Sequence, residues 1–171
     1  GLDIGTASIS SVIYEERAGV LEAQTLENGT FLQSNGWERL QDPAAIWQKA
    51  STLTQTLLKR HPDVGAIGVT GQMHGIVYLD SRGEAVSPLY TWQDGRGDLP
   101  YDDTGSWSDR LSGITGYPLP TGYGMVTHFY NLRNGLVPKN AAALCTIGDY
   151  IAMKLAGAAA PKMEPTNAAS I

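Results

Sequence analysis

The chain has 171 residues and a formal net charge of −5, from 12 basic and 17 acidic residues; no basic stripe is present, which argues against nucleic acid as a partner. Hydrophobic residues make up 42%, and 20 glycines and 9 prolines are spread among them, which excludes a disordered chain and predicts a turn-rich domain with a real core. Cys145 is the only cysteine, so no internal disulfide can form and a reducing cytoplasm is the expected setting; no apolar run reaches the ~20 residues of a membrane helix and no secretory leader is visible.

In chain order, Leu2 to Ile4 reads as the end of a buried strand and Gly5 to Ser8 as a tight turn. Ile9 to Tyr14 and Val20 to Leu26 alternate in polarity, with charges and Gly19 between them, and predict an antiparallel meander. Residues 27–41 read as a polar loop. Asp42-Pro43 predicts an N-cap with proline at the first helical position, and Ile46, Ala50, Leu53 and Leu57 place an apolar stripe on that helix. His61-Pro62 ends it, and Val64 to Thr70 predicts the next strand. Ile76 to Leu79 and Ala85 to Tyr90 flank a turn at Asp80 to Gly83. Residues 95–121, rich in Gly, Pro, Asp and Ser, read as an insertion with a short helix around Ser106 to Leu111. Met125 to Leu132, closed by Asn134-Gly135, and Gly148 to Leu155 read as further helices. Three meandering strands, a helix and a returning strand are the order of a ribonuclease-H-like α/β core, a mixed sheet with flanking helices.

Three short motifs carry the chemistry. Asp3-Ile-Gly-Thr6 puts a carboxylate at a strand end, beside a turn whose N–H groups and hydroxyls (Thr6, Ser8) can meet phosphate. Phosphoryl transfer asks for a metal, donors around the moving group and an in-line acceptor hydroxyl, and Asp3 could hold Mg²⁺ directly or through water. The bland alternative is a strand end with an Asx-type turn. Gly65 to Gly75 runs from a β-branched strand into a glycine-framed turn that delivers Gln72, Met73 and His74 where ligands of open α/β sheets collect. His74 could exchange hydrogen bonds with a substrate hydroxyl and Met73 could pack on its carbon skeleton; the alternative is a loop histidine bonded to backbone. In Trp92-Gln-Asp-Gly-Arg96 the indole suits the carbon face of a sugar, Asp94 can accept from hydroxyls, and Arg96 can order Asp94 or bind phosphate. A core tryptophan with a surface Asp–Arg pair is the competing reading. Tyr123, between two glycines, would be a third wall. His61 reads as solvated, His128 as packing, and Asp149 as a helix cap. One cysteine and three scattered histidines offer no zinc spacing.

Together these motifs resemble the N-terminal domain of the FGGY carbohydrate kinases. Leu2-Asp-Ile-Gly-Thr6 is similar to the family's first phosphate loop, and Val69-Thr-Gly-Gln-Met-His-Gly75 to the motif of its ketose kinases. Thr91-Trp-Gln-Asp-Gly-Arg96, Thr121-Gly-Tyr-Gly124, Cys145-Thr-Ile-Gly-Asp-Tyr150 and Thr166-Asn-Ala-Ala-Ser170 follow in the family's order. The last two are closest to the sedoheptulose kinases, with the xylulose kinases next.

The resemblance implies an actin-like, two-domain fold with sugar and ATP in the cleft between the domains. The chain is then expected to be a partial N-terminal domain: a core over 1–75, a substrate-side insertion over about 76–123 and a helical return over 124–171, with the C-terminal ATP-binding domain absent. ATP and Mg²⁺ are the implied cofactors. Asp3 would serve the Mg-ATP phosphates with Gly5, Thr6 and Ser8 beside it, and Gln72, Met73, His74, Trp92, Asp94 and Tyr123 would face the sugar. The expected reaction transfers the γ-phosphoryl group of ATP to a terminal hydroxyl of a ketose, sedoheptulose before xylulose. The general-base aspartate is expected past Ile171, leaving these residues inactive alone. The expected partner is the ketose, with no nucleic acid or membrane, and a homodimer is compatible with the resemblance. The rival classes are a non-catalytic sugar-binding module of the same fold and an actin-like filament ATPase.

Overall fold

Three strands of unequal length begin the computed structural model, which describes residues 1–169 and 171. Strands β1 (Leu2–Ile4), β2 (Ser8–Glu15) and β3 (Gly19–Glu27) form an antiparallel meander, as the alternation predicted. The short β4 (Leu40–Gln41) follows, then helix α1 (Pro43–Arg60) and strand β5 (Val69–Gly71). Strand β5 lies parallel to β1, giving a mixed sheet of order β3-β2-β1-β5. Along β1 burial alternates, so Leu2 and Ile4 face the core and Asp3 the opposite, open face.

Helix α1 starts where the sequence requires. The Asp42 carboxylate accepts from the N–H groups of Ala44 and Ala45, and Pro43 stands in the first turn. Its stripe of Ile46, Ala50, Leu53 and Leu57 is buried against Leu2, Ile4, Ile9 and Ile13.

The second half contributes β6 (Val77–Leu79), β7 (Leu89–Tyr90), β8 (Pro100–Asp102), β9 (Gly105–Ser106), α2 (Trp107–Thr115), α3 (Gly124–Arg133), β10 (Ala143–Cys145), α4 (Ile147–Ala156) and α5 (Pro165–Ala168). Strand β6 pairs with β10, and β7 with β4. Val77, Leu79, Leu89, Ile147 and Ile151 join the core under α1. Asp149 closes a capping box with Thr146 at the start of α4, as expected. Burial and the nearby Asp149 push the Cys145 thiol up to about 12. No helix among the described residues is long and apolar enough to cross a membrane.

Three local expectations are corrected. The strand foreseen over 64–70 is regular only at Val69–Gly71, because its partner β1 offers three residues to pair with. His61 is half-buried and paired rather than simply solvated: its Nε2 lies 2.8 Å from the Glu22 carboxylate, whose other oxygen is 2.7 Å from Arg60. Helix α2 runs on to Thr115 and stops at Gly116, with φ 75°.

Candidate functional site

Ile4 of β1 is paired in parallel with Gly71 of β5, so the turns that follow both strands leave the same edge of the sheet. The first of these, Gly5 to Ala7, is held from behind. Its three carbonyls accept hydrogen bonds from Asn28 Nδ2 (2.8 Å), Gln41 Nε2 (2.9 Å) and the Asn28 backbone N–H (2.8 Å). In a trans peptide the C=O and the following N–H point opposite ways, so the N–H groups of Thr6, Ala7 and Ser8 each point away from the Asn28 or Gln41 group that holds the preceding carbonyl. A β-carbon at Gly5 would come within 2.9 Å of the Ser8 carbonyl oxygen, so no side chain fits there. The exposed carboxylate of Asp3 lies beside Gly5 on the open face, next to Thr70. Ser8 opens β2 and is half-buried.

The second turn carries Gln72, Met73 and His74. Met73 is 53% exposed. His74 has φ 68°, unusual for a residue with a β-carbon, and its ring stacks on Tyr123 with centroids 4.3 Å apart and planes 11° from parallel. Backbone strain of this kind gathers at functional sites.

The two turns touch through side chains. Thr6 Oγ1 donates to Gln72 Oε1 (3.2 Å) and accepts from Trp92 Nε1 (3.0 Å), while Gln72 Nε2 donates to Gln41 Oε1 (2.8 Å). One residue from each of the three motifs thus meets in a single network. The Thr6 hydroxyl proton is engaged by Gln72, so what Thr6 offers an anion is its N–H rather than its hydroxyl. Gly122 lets the Tyr123 turn close on this group, since a β-carbon there would collide with the Trp92 carbonyl oxygen.

Trp92 and Asp94 exchange the places that the competing reading gave them. Trp92 is 47% exposed, whereas Asp94 and Arg96 are buried. Asp94 therefore does not face a sugar, which corrects the expectation. Its Oδ1 accepts from Arg96 Nε (2.6 Å), and its Oδ2 from Arg96 Nη2 (3.2 Å) and the Arg39 N–H (3.1 Å). The guanidinium also donates to Asn131 Oδ1 and stacks over Tyr90, 4.3 Å from its centroid, between Trp37 and Tyr130. Asn131 donates to the Tyr78 hydroxyl, which shares a hydrogen bond of 2.9 Å with His128 Nδ1. Burial lowers the His128 pKa, favouring the neutral ring. His128 is thus a packing residue, as read from its neighbours.

Sequence reasoning missed Asn28 and Gln41, both fully buried. The one available signal was Asn28-Gly29, which marked a turn but not an anchor. Among the described residues no group of three His, Cys, Asp or Glu side chains could hold a metal ion.

The signature described as "FGGY family of carbohydrate kinases, N-terminal domain" matches residues 1–171. Mouse sedoheptulokinase is 30% identical across 99% of this chain and 40% of its own length. The xylulose kinase of Escherichia coli K12 is 35% identical across 56% of the chain and 20% of its own length. The chain thus spans well under half the length of these relatives. In fold it resembles Plasmodium falciparum glycerol kinase crystallised with ADP, with a TM-score of 0.79 at 18% identity over 99% of this chain and 36% of that one. A xyloylose kinase from Brucella ovis gives 0.74 at 24% identity, over 90% and 32%. The α/β fold, with its mixed sheet, is that of the actin-like sugar kinases, and the chain belongs to the FGGY family of carbohydrate kinases, matching its N-terminal domain.

Proposed function

We propose that this chain forms the polyol-facing and phosphate-facing walls of an ATP-dependent kinase that phosphorylates a terminal hydroxyl of a ketose. The observation that carries the reading is the meeting of Thr6, Gln72 and Trp92, which joins an anion-facing turn to a hydroxyl-facing one. We assign sedoheptulose as the substrate, supported by similarity to mouse sedoheptulokinase along nearly the whole chain. Xylulose is the second reading, favoured by the higher identity to the Escherichia coli xylulose kinase over a shorter stretch.

The residues present fit Mg-ATP: a glycine turn with N–H groups pointing away from Asn28 and Gln41, and a carboxylate beside it, suit a phosphate and its cation. When bound, the nucleotide supplies the transferable phosphoryl group and the cation neutralises its charge. The chain's own contribution is placement. The Thr6 and Ala7 N–H groups hold the phosphates, and Asp3 faces their cation. His74 and Gln72 orient the sugar hydroxyls, while Trp92 and Tyr123 give its carbon skeleton two apolar walls. No carboxylate of the second turn stands ready to take the acceptor proton, and we assign that role to residues outside these 171.

The test is an assay of the full-length protein carrying this chain, with Mg-ATP and sedoheptulose, xylulose, ribulose or glycerol. Turnover is expected, with the highest kcat/KM for sedoheptulose. Asp3→Ala should lower kcat by at least ~10²-fold, and His74→Ala should chiefly raise the sugar KM. Sugar binding without any phosphorylation would instead identify a non-catalytic sugar-binding module.

A further inference from the structure

We propose that Gln41, a residue outside all three motifs, is a positioning residue that couples the phosphate-facing turn to the polyol-facing turn, so that a ligand on one is felt at the other. This rests on the sugar-kinase reading above. Gln41 is fully buried, and its backbone is fixed on both sides. It pairs with Leu89 in β7, and the next residue, Asp42, caps α1. Its carboxamide has one sensible orientation: Nε2 donates to the Thr6 carbonyl at 2.9 Å, and Oε1 accepts from Gln72 Nε2 at 2.8 Å. Turned over, it would set oxygen against oxygen and nitrogen against nitrogen. A buried amide is costly unless both ends are satisfied, and here each end satisfies a different turn.

The bonds close into a ring. Gln41 holds the Thr6 backbone, the Thr6 hydroxyl holds Gln72, and Gln72 holds Gln41. Any rotation of Gln72 toward a polyol must stretch its bond to Gln41 or its bond to Thr6. Because Gln41 is anchored in a sheet and beside a helix cap, the displacement falls on Thr6. That residue carries one of the turn's N–H groups and also accepts from the Trp92 indole. Coupling of this kind is reciprocal: sugar tightens nucleotide by the same factor as nucleotide tightens sugar.

The experiment uses the full-length protein carrying this chain, labelled with 5-fluorotryptophan and with the Trp92 resonance assigned through Trp92→Phe. Wild type, Gln41→Met and Gln41→Glu are compared in two arms. In the first, without ligands, the Trp92 fluorine resonance should move in Gln41→Met although residue 41 does not bond to the indole. In the second, calorimetry gives the Kd of Mg-ADP with and without saturating sedoheptulose. The wild-type Kd should tighten at least ~5-fold, and this factor should fall below ~2-fold in Gln41→Met. Gln41→Glu keeps an acceptor for Gln72 but can donate to the Thr6 carbonyl only in its protonated form. It should recover part of the factor, and it stands in if Gln41→Met fails to fold. An unmoved Trp92 resonance, an undiminished factor in Gln41→Met, or no coupling in the wild type would overturn the proposal. If the wild type binds neither ligand, the sugar-kinase reading fails together with its ligand coupling. The fluorine arm then shows separately whether the ring itself relays strain.

Discussion

Beneath Trp92 the chain buries a full ion pair, whereas beneath the phosphate-facing turn it buries only amides. Asp94 and Arg96 lie under the first, boxed by Trp37, Tyr90 and Tyr130. Asn28 and Gln41 lie under the second. The difference concerns how each support fails. A buried charge that loses its partner keeps its desolvation penalty with nothing to offset it. A buried amide network loses its bonds a few at a time. The polyol side should therefore fail abruptly and the phosphate side by degrees.

The largest expected effect follows from stranding the Asp94 carboxylate. Arg96→Met should cost about 3–5 kcal/mol in urea unfolding, and adding Asp94→Leu should recover a large part of it. A loss under ~1 kcal/mol in the single variant would show that the pair does not hold the Trp92 turn. Asn28→Ala should cost less, about 1–3 kcal/mol, because it removes the bond to the Gly5 carbonyl and the acceptor of the Thr30 hydroxyl. If Asn28→Ala proved the more damaging of the two, the contrast would be reversed.

An exposed ionic cluster sharpens the same point. Glu22 lies below its ordinary 4.5 because of its hydrogen bond with His61 first, against an opposing desolvation, with the charge of Arg60 next. A carboxylate whose pKa is lower in the folded chain stabilises it above the unfolded value and loses that contribution as pH falls through the folded value. Glu22→Gln should lower Tm slightly near pH 7 and leave it unchanged well below pH 4.5, which flattens the fall of Tm on acidification. Water screens this cluster, so the effect should be the smallest of the three.

What was legible in the sequence was local. The meander followed from alternation, and the start of α1 from Asp42-Pro43, because a strand face or a helix cap is set by residues close together. The pairing of β6 with β10 was not legible, since Val77 and Cys145 are far apart in the chain and Ala143–Cys145 carries too short a pattern to declare a strand. In the site, the types of Thr6, Gln72, His74, Trp92 and Tyr123 pointed to polyol and phosphate chemistry. The same letters could not tell which of Trp92 and Asp94 meets water. That depends on Trp37, Tyr90 and Tyr130 converging from three separate segments to enclose Arg96. Gln41 was hidden for a related reason: a glutamine before Asp-Pro looks like the approach to a helix until Thr6 and Gln72 are seen on either side of it.

The burial of Cys145 has a practical consequence. A thiol held near 12 and shut inside the core reacts with maleimides or disulfide reagents only when the chain opens. Within these 171 residues a single introduced cysteine would thus be the one accessible thiol. Met73→Cys, at the exposed tip of the second turn, would carry a fluorophore or spin label that reports directly on the arrival of a sugar.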